Sequence, residues 1–166
     1  MTENKMREIK IEKVVLSAGG KAEKAEKEAK LLQIITGKKA VVVKAKRRVP
    51  AFDVRPGLEI GSKVTIRKDT EPLLKRLLAA VNNKLDKKKI ETNHFSFGIE
   101  EYIEIPGVEY QRELGVLGLN VSVVFSRKGK RVGLRKIKQG KVSKKQDVSK
   151  EEIINFMKQN YNLEVI

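Results

Sequence analysis

Lys63, Thr65 and Arg67 stand at alternate positions in the segment KVTIRK. A strand would turn all three to one face. Two cations and a hydroxyl on a rigid face do not make a catalytic centre; they make a grip for a polyanion. Arginine forks onto phosphate, lysine supplies a looser charge, and a hydroxyl reaches a ribose 2′-OH. The same residue types recur nearby. Lys38 and Lys39 follow Thr36-Gly37, Lys44, Lys46, Arg47 and Arg48 precede Val49-Pro50, and Arg55 comes next. Lys44 and Lys46, two apart, would also point together. Residues 31–70 hold 10 Lys or Arg against 3 Asp or Glu, a net of +7, and residues 127–150 hold 11 against 1, a net of +10. Residues 101–126 reverse the sign, with 1 against 4. Charge sorted in this way, on a chain of formal net charge +16, is the footprint of a surface for RNA or DNA.

Other chemistries find little support. His94 is the only histidine, so His-based clusters are excluded, and its place at the head of a strand-like segment suits a structural role. The chain has no Cys, which removes disulfides, Cys-ligated zinc and thiol catalysis. Gly19-Gly20-Lys21 could offer backbone N–H groups to a phosphate, but reads better as an ordinary strand-to-helix turn. Glu28-Ala29-Lys30 has the Glu-x-Lys spacing of a metal-dependent nuclease, yet it falls among other Glu and Lys of a helix and reads as solvated surface. Asp53 has only Glu59 as a nearby carboxylate in sequence. The reading is therefore a non-enzyme with no cofactor and no metal. Aromatic residues make up only 5% of the chain, which argues against stacking on single-stranded bases; Phe95 and Phe97 suit a core better. Shape-based recognition of folded RNA, through backbone and minor groove, is what remains.

The positioning elements follow from periodicity. Residues 9–17, 40–45, 51–55, 63–68, 94–105 and 119–126 read as strands, and 21–35 as a helix with Ala22, Ala25, Ala29 and Leu32 at helical spacing. Gly37 is a plausible stop for it. Asp69 to Pro72 open a second helix, with an apolar stripe through Leu73, Leu74, Leu77, Leu78, Val81 and Leu85. Residues 127–148 read as an irregular basic arm or a long hairpin. Ser149 and Glu152 form a capping box ahead of a helix over 150–160 that Ile153, Phe156 and Met157 would dock. Strands and helices without βαβ alternation predict an α+β fold: one RNA-binding domain over 1–166, its sheet covered by helices on one face. The opening MTENKMREIKIEK predicts no signal or transit peptide, and no apolar run approaches the roughly 18–20 residues of a membrane span.

The order TGKKAVVVKAK, AFDVRPGLEIGSKVTIR, FSFGIEEYIEIPGVEY, GLNVSVV closely resembles the large-subunit ribosomal protein L-five family, in the archaeal and eukaryotic branch whose eukaryotic counterpart is called L-eleven. The likeness spans about residues 6–126 and, more loosely, the terminal helix. It implies an antiparallel sheet with helices on one face. It implies a cytoplasmic, ribosome-bound protein that joins 5S rRNA to large-subunit rRNA in the central protuberance, beside other ribosomal proteins and away from membranes. Contacts to 5S rRNA carry over to Ser17, Lys38, Thr65 and Arg67, within a wider rRNA-binding set that adds Lys39, Lys44, Arg55 and Lys63. The loop Lys46, Arg47, Arg48, Val49 and Pro50 would reach peptidyl-site tRNA; on charge alone it reads equally as a mobile hairpin tip. The chain departs from the pattern at Ser17-Ala18-Gly19-Gly20, where members have Asn before a Gly-x-Gly turn, and at Gly37-Lys38-Lys39-Ala40, where they have Gly-Gln-Lys-Pro. Lys38 favours phosphate where Gln reads a base edge. The competing reading is a non-ribosomal RNA-binding assembly or translation factor.

Overall fold

The computed structural model describes residues 4–166. Six strands form one antiparallel sheet: β1 (Ile9–Ala18), β2 (Val41–Lys44), β3 (Glu59–Ile66), β5 (Ile90–Glu91), β6 (His94–Ile99) and β7 (Leu119–Arg127), in the order β2-β3-β1-β7-β6-β5. A separate parallel pair joins β4 (Lys84–Leu85) to β8 (Glu164–Val165) near the chain's end. The helices are α1 (Glu23–Thr36), α2 (Thr70–Ala79), the short α3 (Arg131–Leu134) and α4 (Lys150–Tyr161). The protein is α+β with a largely antiparallel sheet, as the sequence predicts.

One face of the sheet carries the core. Val14 and Leu16 of β1, Val64 and Ile66 of β3, Phe95 and Phe97 of β6, and Val121, Val123 and Phe125 of β7 are all buried. Their alternation is the period of two that a half-covered sheet requires. Leu31, Leu32 and Ile35 of α1, the four leucines of α2, and Ile153 and Met157 of α4 complete the same cluster. Phe95 stacks on Phe97 with ring centroids 6.0 Å apart and meets Phe125 at 5.7 Å, so these aromatics are core groups. Gly37 ends α1 in the left-handed conformation, φ 65°, and its N–H donates to the Gln33 carbonyl. Ser149 and Glu152 form the capping box on α4.

Several elements differ from expectation. Residues 51–55 are not a strand. Pro50–Phe52 make a 3-10 turn, and the loop touches itself through one bridge between Val49 and Val54. Pro50 has no N–H to give a ladder, and that local turn takes its place. The strand from His94 ends at Ile99, because Tyr102–Glu104 coil into a further 3-10 turn that buries Tyr102. Leu85 belongs to β4 rather than to the α2 stripe. The segment after β7 is an irregular arm, not a hairpin: it holds α3 and a 3-10 turn at Lys144–Gln146, and among the described residues it pairs with no strand.

α1 also packs differently. Ala22 is exposed and Ala29 half-buried, whereas Leu31 and Glu28 are buried. Glu28 lies beneath the turn after β1, where a Cβ on Gly20 would stand 2.4 Å from its Oε1. A side chain at position 20 would have to displace that carboxyl, and a carboxyl beneath the turn makes a poor phosphate cradle. Burial pushes the Glu28 carboxyl above its ordinary 4.5, against a smaller opposing pull from Lys24. A raised acid stabilises the fold fully below its unfolded pKa, and that stability is lost as pH rises through the folded value. Glu28→Gln is therefore expected to raise the thermal midpoint at pH 7 by roughly 2–4 °C. The gain should fade as pH falls toward 4.5. Melting curves at the two pH values check this; a gain that persists in acid would assign the effect to packing.

Candidate nucleic-acid interface

The uncovered face of the sheet is built by the residues that alternate with the core. Register aligns them in rows. Lys63 of β3 stands beside Ser17 of β1, which faces Asn120 of β7, which faces Gly98 of β6. The next row runs Thr65, Val15, Ser122, Ser96. Four strands at spacings of about 4.8 Å make each row about 14 Å wide. A Cβ on Gly98 would press to 3.3 Å from Asn120 Oδ1, so the glycine keeps this floor low. The result is a broad, shallow surface of hydroxyls and an amide, edged with cations.

The cations lie mostly on the β2–β3–β1 side. Lys63, Thr65 and Arg67 are exposed, while Val64 and Ile66 between them, and Ser62 before them, are buried. Val41 pairs with Lys63, so the turn carrying Lys38 and Lys39 enters the sheet beside the first row. Thr36 shapes that turn: its hydroxyl donates to the Leu32 carbonyl at 2.7 Å and accepts the Lys38 N–H at 3.2 Å. Ser17, Lys38, Lys39, Lys63, Thr65 and Arg67 are thus brought to one side of the molecule.

Other candidates lie elsewhere. Lys44 ends β2 and its ammonium stands 3.7 Å from Glu59, which partly answers its charge. Because β2 stops there, the alternation that would align Lys46 with Lys44 does not continue. Lys46, Arg47, Arg48, Val49 and Pro50 form an exposed loop beyond the sheet's end. Arg55 goes with that loop: Arg48 and Arg55 line a hollow of about 480 Å³ with Pro50, Asp53, Val54 and Leu58. Phe52 adds an exposed aromatic ring at the tip.

The residues considered for catalysis are occupied otherwise. His94 Nδ1 lies 3.2 Å from the Thr92 carbonyl and its Nε2 3.7 Å from Glu91. Asp53 sits in the hollow with two arginines, and Glu59 answers Lys44. Among the described residues, no three His, Asp or Glu side chains gather as metal ligands, and no helix is long and apolar enough to cross a membrane.

The family description "Ribosomal protein L5" matches residues 4–55, and the description of that ribosomal family's C-terminus matches residues 59–157. A large ribosomal subunit protein uL5 of Nanoarchaeum equitans is 44% identical over 99% of both chains. Its namesake of Sulfurisphaera tokodaii is 41% identical over 99% of this chain and 96% of that one. That of Picrophilus torridus is 38% identical, covering 99% and 97%. The chain belongs to the ribosomal protein L5 family. It is a large-subunit ribosomal protein, not an enzyme. The L5 resemblance read from the sequence is correct, and the nuclease and free-factor readings fall away.

Within the L5 frame, the candidate surface straddles both matched segments. Ser17 and Lys38 lie in the first, Lys63, Thr65 and Arg67 in the second. The β1–β3 ladder, with Ser17 directly opposite Lys63, joins them.

Sequence reasoning missed Lys10 and Lys13. β1 pairs Lys10 with Ser126 and Lys13 with Val124, and a bulge between them leaves Glu12 as the extra residue. Residues three apart on a regular strand face opposite ways; the bulge brings both lysines to the uncovered side. Asn120, Ser122 and Ser96 were missed as well. Their alternation with buried residues was visible, but no charge drew attention to them.

Proposed function

We propose that this L5-family chain, acting as one RNA-binding domain over 1–166, binds 5S rRNA on its uncovered sheet face and joins it to large-subunit rRNA in the central protuberance. The single observation that carries this reading is the row Lys63–Ser17–Asn120–Gly98 with Lys38 and Arg67 at its margin: a rigid, shallow, polar platform beside concentrated positive charge. A-form RNA offers a wide minor groove lined with 2′-hydroxyls, and a hydroxyl-rich sheet meets that groove without a projecting helix. Cations at the edge neutralise the flanking phosphates. Binding needs no cofactor and no metal, and the protein works in the cytoplasm on the ribosome, among the neighbouring proteins of the protuberance.

The loop Lys46–Pro50 serves a second RNA, the tRNA in the peptidyl site. Its cations stand apart from the sheet platform, and its separation from Lys38 and Lys63 is what supports two partners. Replacing Lys46, Arg47 and Arg48 together with Ala should leave 5S affinity within about twofold, because none of them lies on the platform. The same variant, assembled into ribosomes, should hold peptidyl-site tRNA more weakly, by roughly two to three orders of magnitude at 0.1 M salt for three lost phosphate contacts. Filter binding with 5S transcript and tRNA retention on purified ribosomes measure the two effects. Collapse of 5S binding would place the loop on the wrong partner.

A further inference from the structure

The arm that follows β7 is anchored to the body at both ends and braced by its own hydrogen bonds between them. At its root, Arg127 donates twice to Glu152 of α4, at 2.6 and 2.8 Å. Lys128 pairs with Glu8, and Lys130 Nζ lies 2.7 Å from Glu12 Oε2. In its middle, Gly140 N–H donates to the Val132 carbonyl, Gln139 Nε2 to the Gly133 carbonyl at 2.6 Å, and Arg135 Nε to the Lys138 carbonyl at 2.6 Å. At its end, Asn93 grips both Asp147, at 2.9 Å, and the Val148 N–H, at 2.7 Å. A segment tied to the body at its root and its end, and bonded to itself between them, is a wall, not a trailing tail.

The wall flanks the uncovered face. A groove of about 430 Å³ runs between it and the sheet, with Lys10, Arg67, Lys130, Arg131 and Leu134 among its lining. Lys10 and Arg67 reach it from β1 and from the end of β3; Arg131 reaches it from α3. Glu12 is the one carboxylate in the lining, and Lys130 already neutralises it. Arg127 is turned away to Glu152. Three exposed cations, Lys10, Arg67 and Arg131, therefore face one groove, and among the described residues none of them is in an ion pair. Converging unpaired cations with a rigid frame are the chemistry of a phosphodiester grip.

We propose that the arm is the second wall of the RNA site, and that Lys10, Arg67 and Arg131 hold a stretch of backbone of the same 5S rRNA that lies on the sheet. This rests on the reading of the uncovered face above. The occupant is that RNA because Arg67 belongs to both places: it ends the row Lys63, Thr65, Arg67 and lines the groove. A helix laid on the platform runs on into the groove.

The test is the salt dependence of 5S binding by the full chain. Lys10→Ala with Arg131→Ala should flatten the slope of log affinity against log salt by roughly 1.8 units, for two lost phosphate contacts. A hydroxyl-radical footprint should lose protection over one short stretch and keep the rest. Lys87→Ala with Lys88→Ala removes equal charge from an exposed turn outside the groove and should leave slope and footprint unchanged. Lys38→Ala with Lys63→Ala reports on the platform alone. If the platform pair flattens the slope and the groove pair does not, the wall is not an RNA contact although the platform is. If neither does, both readings fail. Full RNA binding with defective incorporation into the subunit would assign the arm to a protein partner and overturn the proposal. Matching thermal midpoints keep misfolding out of each comparison.

Discussion

Alanine at Lys38, Lys63 and Arg67 together is expected to weaken 5S rRNA binding by roughly two to three orders of magnitude at 0.1 M salt and to leave almost no difference at 1 M. The reason is counterion release. Each lost phosphate contact removes about 0.9 from the slope of log affinity against log salt, so three remove roughly 2.7. None of the three takes part in an ion pair among the described residues, and all are exposed. Their loss should therefore move stability by no more than about 0.5 kcal/mol. Titration by fluorescence anisotropy across a salt series reads both effects. A folded triple variant with the parental slope would take the RNA off this face altogether.

The second large effect lies in the backbone. β3 passes so close to the end of β1 that a Cβ on Gly61 would stand 2.4 Å from the Ala18 carbonyl oxygen and 3.2 Å from Gly19 Cα. Both neighbours are main chain and cannot swing aside, and Gly61 itself sits at φ +156°. Gly61→Ala should cost roughly 3 kcal/mol, or roughly 6–12 °C of thermal midpoint for a chain of this length. It should also weaken RNA binding, because the strands it forces apart are those that set Ser17 against Lys63. Gly19→Ala is the matched control, since nothing lies within 4 Å of a Cβ there. A destabilised Gly61→Ala protein that still bound 5S RNA at full strength would show that this spacing does not matter to recognition.

Much of this was legible in the sequence wherever a short-range rule decides the outcome. Lys63 and Thr65 share a face because a strand has a period of two, with Arg67 just past the strand's end, and Gly37 stops α1 because glycine takes positive φ cheaply. Ser149 with Glu152 announced α4 through local hydrogen bonding alone. The misses have long-range causes. Glu28 is buried beneath the turn after β1, which no helical spacing reveals. β4 and β8 are two residues each and find one another across 79 positions, counting from Leu85 to Glu164. The arm's anchorage depends on Asn93 and Glu152, which lie in other elements. Arg55 lies next to Val54 in a segment that alternation made a strand; the turn at Pro50–Phe52 puts it with the loop instead.

The extra residue at Glu12 has a consequence for folding fidelity. A strand bordered by two others can slide by one position, and every slide by one exchanges inside for outside. Around Glu12 the two halves of β1 are out of phase, so no single slide satisfies both. Misalignment along β7 would drive Lys10 or Lys13 toward the oily interior. The insertion thus works as a ratchet tooth: it leaves the sheet one alignment in which both lysines stay in water.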